Sequence, residues 1–401
     1  MSTPTPEPTT TPAPAGIAPA AASGHAPGPA PVVGALAEEA LLEVIQDSLA
    51  PIGRDAHWPA GTVPPGDDAA VVPAPGGAVA VSTDAMGEGT DFLALWPAGV
   101  RTRGHDVGWK AAAQNLSDIN AMGGTASALV TALVLPSHTP VAWVAALGRG
   151  MAVALPALGA PGCRAAGGDL GSGDRVQVTV TVLGDPPPTG ALRRRPDPAV
   201  RERLCREGAD LVHAQAGLHP RAADPSGPGW AAAGLALLLT PRQVLERRWA
   251  ALPAERRPGP RELARAVRAQ LRPRPPLPLG PAAAAAGGVV ALMDVSDGLG
   301  RDGHRIARAC GDGALEPWVD EAWLARATTG LARVAALAEV QPEHLALGGG
   351  EDYGLLGVLP HGAPLPDGFR RIGRLVPAGE RPAGHEPLPE RGWDHFGAEG
   401  R

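Results

Sequence analysis

The sequence predicts an α/β protein built from two domains. Apolar, strand-like runs alternate with stretches of helical periodicity, which is the pattern of an α/β fold. The chain has 401 residues, more than one hydrophobic core usually organises. A stretch rich in proline and arginine at 186–229 separates two such alternating halves. We therefore predict an N-terminal domain at 35–185, a linker or insertion at 186–229, and a C-terminal α/β domain at 230–396.

The N-terminal half starts with a low-complexity tail and continues into the first domain. Residues 1–34 are largely Pro, Ala, Thr and Gly without periodicity, and we predict that this tail is disordered. An amphipathic segment with helical spacing begins near Gly34. The first domain is then predicted to contain β-strands at 78–82, 128–135 and 176–183, and a helix at 106–122. Asp106 is the expected N-cap of that helix, and Gly123 marks its end.

The second half repeats the alternation of helices and strands. One apolar strand is expected at 289–293, where no charged residue interrupts the run. The helical segments are predicted near 231–239, 261–271, 296–310 and 322–338.

Composition excludes several classes of function. The formal net charge of −6 argues against a nucleic-acid-binding protein, which needs a basic face for the phosphates. The three cysteines lie far apart without CxxC spacing, which indicates thiols in a reducing compartment. No lysine or arginine precedes Arg54, and the long uncharged stretches are broken by Gly, Pro, Ser and Thr. We therefore expect a cytoplasmic protein without a membrane partner.

Acidic residues recur in turns beside apolar strands or glycine pairs. An aspartate after a strand is often only a turn former or a helix N-cap, and Ser296 or Asp297 could cap the helix that follows. Six such places in one chain, each with adjacent Gly, Ser or Thr, exceed what capping explains. The places are Asp68 in PPGDDAAVV, Asp84 in AVAVSTD, Asp118 in QNLSDINAMGG, Asp169 in AAGGDLGSG, Asp294 and Asp297 in ALMDVSDGL, and Glu351 in LGGGEDYGLL.

These residue types indicate a magnesium-dependent phosphotransferase that uses ATP. Oxygen-only ligands select hard cations, and Mg²⁺ usually joins protein carboxylates to substrate phosphates. Glycines such as Gly168 let backbone N–H groups approach phosphate oxygens closely. The sequence has no GxxxxGK[ST] motif and no protein-kinase motif set. Lys110 is expected to be a solvated lysine in the first turns of a helix.

In their order along the chain, these motifs resemble bacterial thiamine-monophosphate kinase, a member of the ATP-binding superfamily of aminoimidazole ribonucleotide synthetase. The resemblance covers roughly 34–396 and is carried by PPGDDAAVV, VSTDAMGEGTDF, GWKAAAQNLSDINAMGG, AGGDLGSG, GWAAAGLALL, MDVSDGL, GGGEDYGLL and RGWDHF. It implies transfer of the γ-phosphoryl group of ATP to thiamine monophosphate, giving thiamine diphosphate. It also implies a homodimer formed through a mixed N-terminal sheet, with ATP near the dimer interface and the C-terminal domain packed against the sheet.

The resemblance also assigns roles to individual residues, and no general base is among them. Glu351, Trp393 and Asp91 match positions that bind the thiamine substrate, and Trp393 would stack on a cationic ring. Gly168, Asp169, Arg194 and Ser296 match nucleotide contacts. Several magnesium ions would be held by Asp68, Ser82, Thr83, Asp84, Asp118, Asp169, Asp294 and Asp297.

The chain departs from the family pattern at several positions. Asp91 stands where the family usually has His, Leu170 where Thr is usual, and Gly354 where an acid is usual. The stretch 191–229 is longer and richer in arginine than its counterpart, so that Arg206 is an alternative to Arg194. Two other functions therefore stay open: a paralogue that binds ATP or thiamine phosphate without turnover, and another enzyme of the same superfamily.

Overall fold

The computed structural model describes residues 70–74, 77–215 and 227–394. The predicted N-terminal tail, the amphipathic segment after Gly34 and Asp68 lie outside these residues. No helix in the described ranges combines the length and the apolarity needed to span a bilayer.

The N-terminal domain is built on a mixed sheet, as the resemblance implies, and this sheet has five strands where three were predicted. Strand β3 pairs with β4 in parallel and with β5 antiparallel, and the other pairs are antiparallel. Val178, Val180 and Val182 alternate along β5 and are fully buried, so one face of the sheet is turned toward the core. The strands are β1 (Ala70–Ala74), β2 (Gly77–Gly87), β3 (Thr125–Leu135), β4 (Arg164–Ser172) and β5 (Gln177–Asp185), in the order β1-β2-β5-β3-β4.

Two helices cover that face, α1 (Gly104–Ala121) and α2 (Val141–Leu158). The backbones of the two helices are in direct contact at Gly108, where a Cβ atom would overlap the carbonyl oxygen of Leu147. The prediction that Asp106 is the N-cap is wrong by three residues. The N-cap is Arg103, and the Asp106 carboxylate accepts a hydrogen bond from the Arg103 N–H at 3.2 Å.

The C-terminal domain contains a six-stranded sheet in which every pair is antiparallel. Its strands are β6 (Ala209–Ala214), β7 (Ala291–Val295), β8 (Leu315–Asp320), β9 (Gly354–Pro360), β10 (Arg370–Pro377) and β11 (His385–Pro387), in the order β11-β8-β10-β6-β9-β7.

The stretch 186–229 is more than a linker. It contains α3 (Pro198–Glu207) and β6, and β6 pairs with β10 on one side and β9 on the other. All six residues of β6 are buried. A linker or insertion was expected from the abundance of proline and arginine, and ADLVHA within it is a fully buried strand whose Asp210 pairs with Arg371 at 2.7 Å.

The remaining helices surround this sheet and connect the two domains. The end of α1 reaches the C-terminal core, where Ala121 packs with Leu292 and Leu355. The Trp109 indole N–H also donates to the Pro273 carbonyl at 2.7 Å. The helices are α4 (Trp230–Leu239), α5 (Arg242–Ala251), α6 (Pro260–Leu271), α7 (Leu279–Ala286), α8 (Leu299–Gly311), α9 (Glu321–Ala338) and α10 (Pro342–Gly348), with a 3-10 turn at Ala254–Arg256.

Candidate active site

The first part of the site lies where β2 meets α1. Ser82 and Asp84 are two residues apart on β2, so that their side chains project from the same face of the strand. The Ser82 hydroxyl donates to the Asp118 carboxylate at 2.5 Å. The Asn115 side-chain oxygen accepts from the Asp84 N–H at 3.0 Å. Strand β2 and helix α1 thus bring Asp84 and Asp118 to the same part of the molecule. Their role as metal ligands stays a prediction.

The second part is the loop 349–353, which joins α10 to β9. Glu351 and Tyr353 both have left-handed backbone conformations, with φ of 66° and 51°. Such conformations are unfavourable for residues with a Cβ and are concentrated at functional sites. The loop is fixed to the end of β7, because Glu351 N donates to Ser296 O at 2.8 Å and Tyr353 N to Val295 O at 3.0 Å.

Tyr353 marks the point at which the two domains meet. Burial raises the pKa of its phenol well above the usual value, and nearby negative charges raise it further. Those charges are Glu351, Asp84, Asp294 and Asp91, in decreasing order of effect. Two of these acids belong to the N-terminal domain and two to the C-terminal domain, so negative charges from both domains act on one buried tyrosine.

Lys110 belongs to this site. Its side chain is only 4% exposed, and it forms an ion pair with Glu351. It also donates to the Asp91 carbonyl at 3.1 Å, while Gln270 donates to the other Glu351 oxygen. The expectation of a solvated helix lysine is therefore wrong. Lys110 lies on the face of α1 that contacts the second domain, which a single helix pattern does not reveal.

Asp91 uses its carboxylate within its own turn. One oxygen accepts from the Gly87 N–H at 2.8 Å and from the Thr90 hydroxyl at 2.7 Å. Its carbonyl, rather than its carboxylate, contacts Lys110.

The third part is the loop after β7, which contains Asp294, Ser296 and Asp297. Asp294 is buried within β7 at 4% exposure. Asp297 forms an ion pair with Arg305, which also pairs with Asp302 at 3.0 Å. Burial, and then the charge of Asp297, raises the pKa of the Asp302 carboxyl. Neither Ser296 nor Asp297 caps α8, since the N-cap is Gly298 with φ of 113°.

The segment 391–394 packs on this loop. Trp393 N donates to Asp297 O at 2.8 Å, and Arg301 donates to the Trp393 carbonyl. Arg301 also pairs with Asp394 at 3.3 Å. The Trp393 ring remains 41% exposed, so the backbone is fixed while a ring surface stays accessible beside the acidic loops.

Asp352 has a structural role next to Glu351. It is 5% exposed and accepts hydrogen bonds from Gly229 N and, at 3.2 Å, from Ala231 N. These N–H groups belong to the start of α4, where a carboxylate is electrostatically favourable. Burial nevertheless raises the pKa of Asp352 to about 6.

Gly168, Asp169 and Thr83 lie apart from this cluster. Asp84, Val180, Thr131 and Gly168 form one row across the sheet, which puts Gly168 three strand spacings, about 14 Å, from Asp84. Asp169 is exposed on β4, which ends the sheet. Thr83 alternates with Ser82 and Asp84 and therefore occupies the opposite face, where its hydroxyl donates to the Val180 carbonyl at 3.0 Å.

The chain at Arg194 contacts β7, because the Arg193 carbonyl accepts from the Leu292 N–H at 3.0 Å, two residues before Asp294. Arg194 is the next residue. Its carbonyl accepts from the Cys310 thiol at 3.8 Å, near the end of α8 remote from Ser296. The alternative residue, Arg206, is exposed on α3 and pairs with Glu202 at 2.8 Å. The assignment of a nucleotide-contacting arginine therefore stays a prediction.

Comparison with known proteins first identifies the class of the N-terminal domain. Residues 66–185 match the family model described as AIR synthase related protein, N-terminal domain. The structure of AaThiL complexed with AMPPCP and TMP has the same fold, with a TM-score of 0.64 at 24% identity, covering 90% of this chain and 97% of that one. The crystal structure of thiamine-monophosphate kinase from Stenotrophomonas maltophilia has a TM-score of 0.53 at 26% identity, covering 86% and 95%.

Sequence relatives then identify the particular family. Thiamine-monophosphate kinase from Mycobacterium tuberculosis is 35% identical over 335 residues, covering 83% of this chain and 85% of that protein. The enzyme of the same name from Corynebacterium glutamicum is 31% identical over 350 residues, covering 86% and 88%. The chain belongs to the thiamine-monophosphate kinase family.

Proposed function

We propose that the chain transfers the γ-phosphoryl group of ATP to thiamine monophosphate, giving thiamine diphosphate, with the help of Mg²⁺. The observation that carries this proposal is the junction of the two domains, where Ser82 and Asn115 hold Asp118 and Asp84 on one side and Lys110 of the same helix pairs with Glu351 of the other domain. Family membership supports the same reaction. The M. tuberculosis relative is named for this activity, and the AaThiL complex holds an ATP analogue together with TMP.

The oxygen donors of the site suit magnesium. Mg²⁺ keeps several waters and usually binds one or two carboxylates together with substrate phosphates, so it does not need a cage made of protein alone. Among the described residues, no group of three or more His, Cys, Asp or Glu forms such a cage. Asp84 and Asp118 would hold one ion and Asp294 another. Asp68, Ser82, Thr83, Asp169 and Asp297 are the further ligands implied by the family motifs. Bound Mg²⁺ would neutralise phosphate charge that the carboxylates would otherwise repel.

The chain's own residues would bind and orient the acceptor. The thiazolium ring of thiamine monophosphate is cationic, and Glu351 supplies a carboxylate that Lys110 and Gln270 hold in place. The exposed ring of Trp393 can stack on the same cation. Asp91 lies beside Lys110 and shapes this side of the pocket. The accepting phosphate oxygen is already ionised at neutral pH, so the reaction needs alignment of its groups and no general base.

A second copy of the chain would complete the nucleotide site. Among the residues that the structure describes, no helix covers the second face of the N-terminal sheet, and Thr83, Ala85, Val130 and Ala132 are exposed on it. An open face of this composition favours association with a like surface. We therefore propose a homodimer in which Gly168 and Asp169, far from Asp84 within one subunit, bind ATP near the interface. Ser296 and Arg194 are the other proposed nucleotide contacts.

The test is formation of thiamine diphosphate by the purified protein with ATP, thiamine monophosphate and excess MgCl2. We expect turnover that Asp118→Asn abolishes without loss of folding, because the amide keeps the volume but not the charge of a metal ligand. Asp197→Asn is the matched control, since Asp197 is an exposed residue at the start of α3. Absence of product at saturating substrates, with nucleotide binding retained in calorimetry, would instead identify a binding module.

A further inference from the structure

A cavity of about 650 Å³ lies outside the acidic site, between the start of α4, the 3-10 turn, α6 and α9. None of the residues discussed above as metal, nucleotide or thiamine contacts lines it. Its volume is within the range of small-molecule sites in proteins.

The charged lining of this cavity is predominantly basic. Arg256, Arg261, Arg265 and Arg333 face Glu255 and Glu262, a formal excess of two positive charges in a protein whose net charge is −6. Within the described part of the chain, neither Arg256 nor Arg261 forms an ion pair, whereas Glu262 accepts from Gly259 N at 2.7 Å and lies 3.7 Å from Arg333. Two guanidinium groups therefore have donors available for an anion.

Trp230 supplies a second, independent feature. Its side chain lines the cavity and is 4% exposed, yet its indole N–H has no hydrogen-bond partner among the described residues. The Arg265 guanidinium lies 4.0 Å from the centre of the indole ring, which fixes the ring by a cation–π contact. A buried indole N–H normally finds an acceptor, and an anion that displaces the side chains covering this nitrogen would provide one.

We propose that this cavity is a binding site for a small anion carrying phosphate or carboxylate groups, held by Arg256, Arg261, Arg333 and the indole N–H of Trp230. Guanidinium groups match both kinds of anion, since each can present two oxygens to a forked donor.

The site would be connected to the acidic loops by a short path. The N–H groups on either side of Trp230, those of Gly229 and Ala231, donate to Asp352. Asp352 is the neighbour of Glu351 in the strained loop. A ligand at Trp230 would therefore lie next to the two N–H groups that hold Asp352 in place.

Calorimetric titration of the full chain tests the site once the nucleotide site is blocked. The protein is saturated with AMPPCP and MgCl2 and titrated separately with inorganic phosphate and with succinate, two anions that chelate Mg²⁺ weakly. We expect saturable binding of at least one, and the preferred anion identifies the ligand class. Arg256→Ala/Arg261→Ala should weaken that binding about tenfold or more. Trp230→Phe should weaken it roughly fivefold, through loss of one donor.

The matched control is Arg268→Ala/Arg326→Ala, which removes the same charge from α6 and α9 outside the cavity lining. This variant should bind the anion like the wild type. Absence of saturable binding of both anions, or equal weakening by the two double variants, would overturn the proposal. Unchanged affinity in a folded Trp230→Phe variant would remove the indole from the site.

Discussion

The ion pair between Lys110 and Glu351 gives the sharpest prediction about the junction of the two domains. Lys110→Met keeps the length of the side chain and removes its charge. The lysine side chain is 4% exposed and the glutamate 27%, so solvent stabilises the remaining carboxylate only in part. Loss of the pair also removes the hydrogen bond to the Asp91 carbonyl. Breaking a fully buried ion pair lowers the free energy of unfolding by about 3–5 kcal/mol. Because Glu351 is partly exposed, we expect Lys110→Met to lower it by about 2–3 kcal/mol.

A double-mutant cycle isolates the pair itself. Lys110→Met, Glu351→Gln and the double variant are compared by urea denaturation, and we expect a coupling energy above about 1 kcal/mol. The KM for thiamine monophosphate should rise in Lys110→Met while the KM for ATP stays near the wild-type value, because the pair positions the acceptor carboxylate. Arg268→Met, on the exposed side of α6, is the control for loss of a cationic side chain. A coupling energy near zero would show that the Lys110–Glu351 ion pair does not stabilise the contact between the two domains.

Three further predictions concern other parts of the molecule. Gly108→Ala should destabilise the protein by more than about 2 kcal/mol, because its Cβ would overlap the backbone of Leu147. Gly148→Ala is the control, since its Cβ meets open space. Equal stabilities of the two variants in urea denaturation would contradict the close packing of α1 on α2. Burial lowers the pKa of His213 to about 4 from 6.5, so its contribution to stability is present above pH 6.5 and is lost as the pH falls toward 4. The stability of the wild type relative to His213→Leu should therefore fall by about 3 kcal/mol over that interval, and a pH-independent difference would show that the histidine is not buried and neutral. Trp393→Ala should raise the KM for thiamine monophosphate roughly tenfold with little change in the KM for ATP, through loss of stacking, and steady-state assays that show the reverse would place this residue at the nucleotide.

Local sequence patterns were enough to predict much of the fold. The buried valines of β5 alternate with polar residues, and the helix after the MDVSDGL motif has an apolar face, so both were predicted close to their observed bounds. Strand β6 was missed because ADLVHA is short and carries an aspartate and a histidine. Pairing with β9 and β10 decides its structure, and that information lies more than 140 residues away in the sequence.

The site shows the same division between local and distant information. Asp84, Asp118, Asp294 and Glu351 follow strands or stand in motifs, so local patterns were enough to propose them as site residues. Lys110, Gln270 and Tyr353 were missed, since their roles depend on the contact between domains. Glu351 is 241 residues from Lys110 in the chain and yet forms its ion pair. The lone lysine in a sequence whose other basic residues are arginines was the one available signal.

Transfer of the terminal phosphoryl group tests the central claim most directly. The purified protein is mixed in excess with γ-³²P-labelled ATP, thiamine monophosphate and MgCl2, and a single turnover is quenched and separated. If the acidic residues of the two domains align ATP with thiamine monophosphate, the label appears in thiamine diphosphate and none is retained on the protein. Asp118→Asn should then show no transfer. Label bound to the protein, or ATP bound without formation of labelled thiamine diphosphate, would contradict direct transfer in this site.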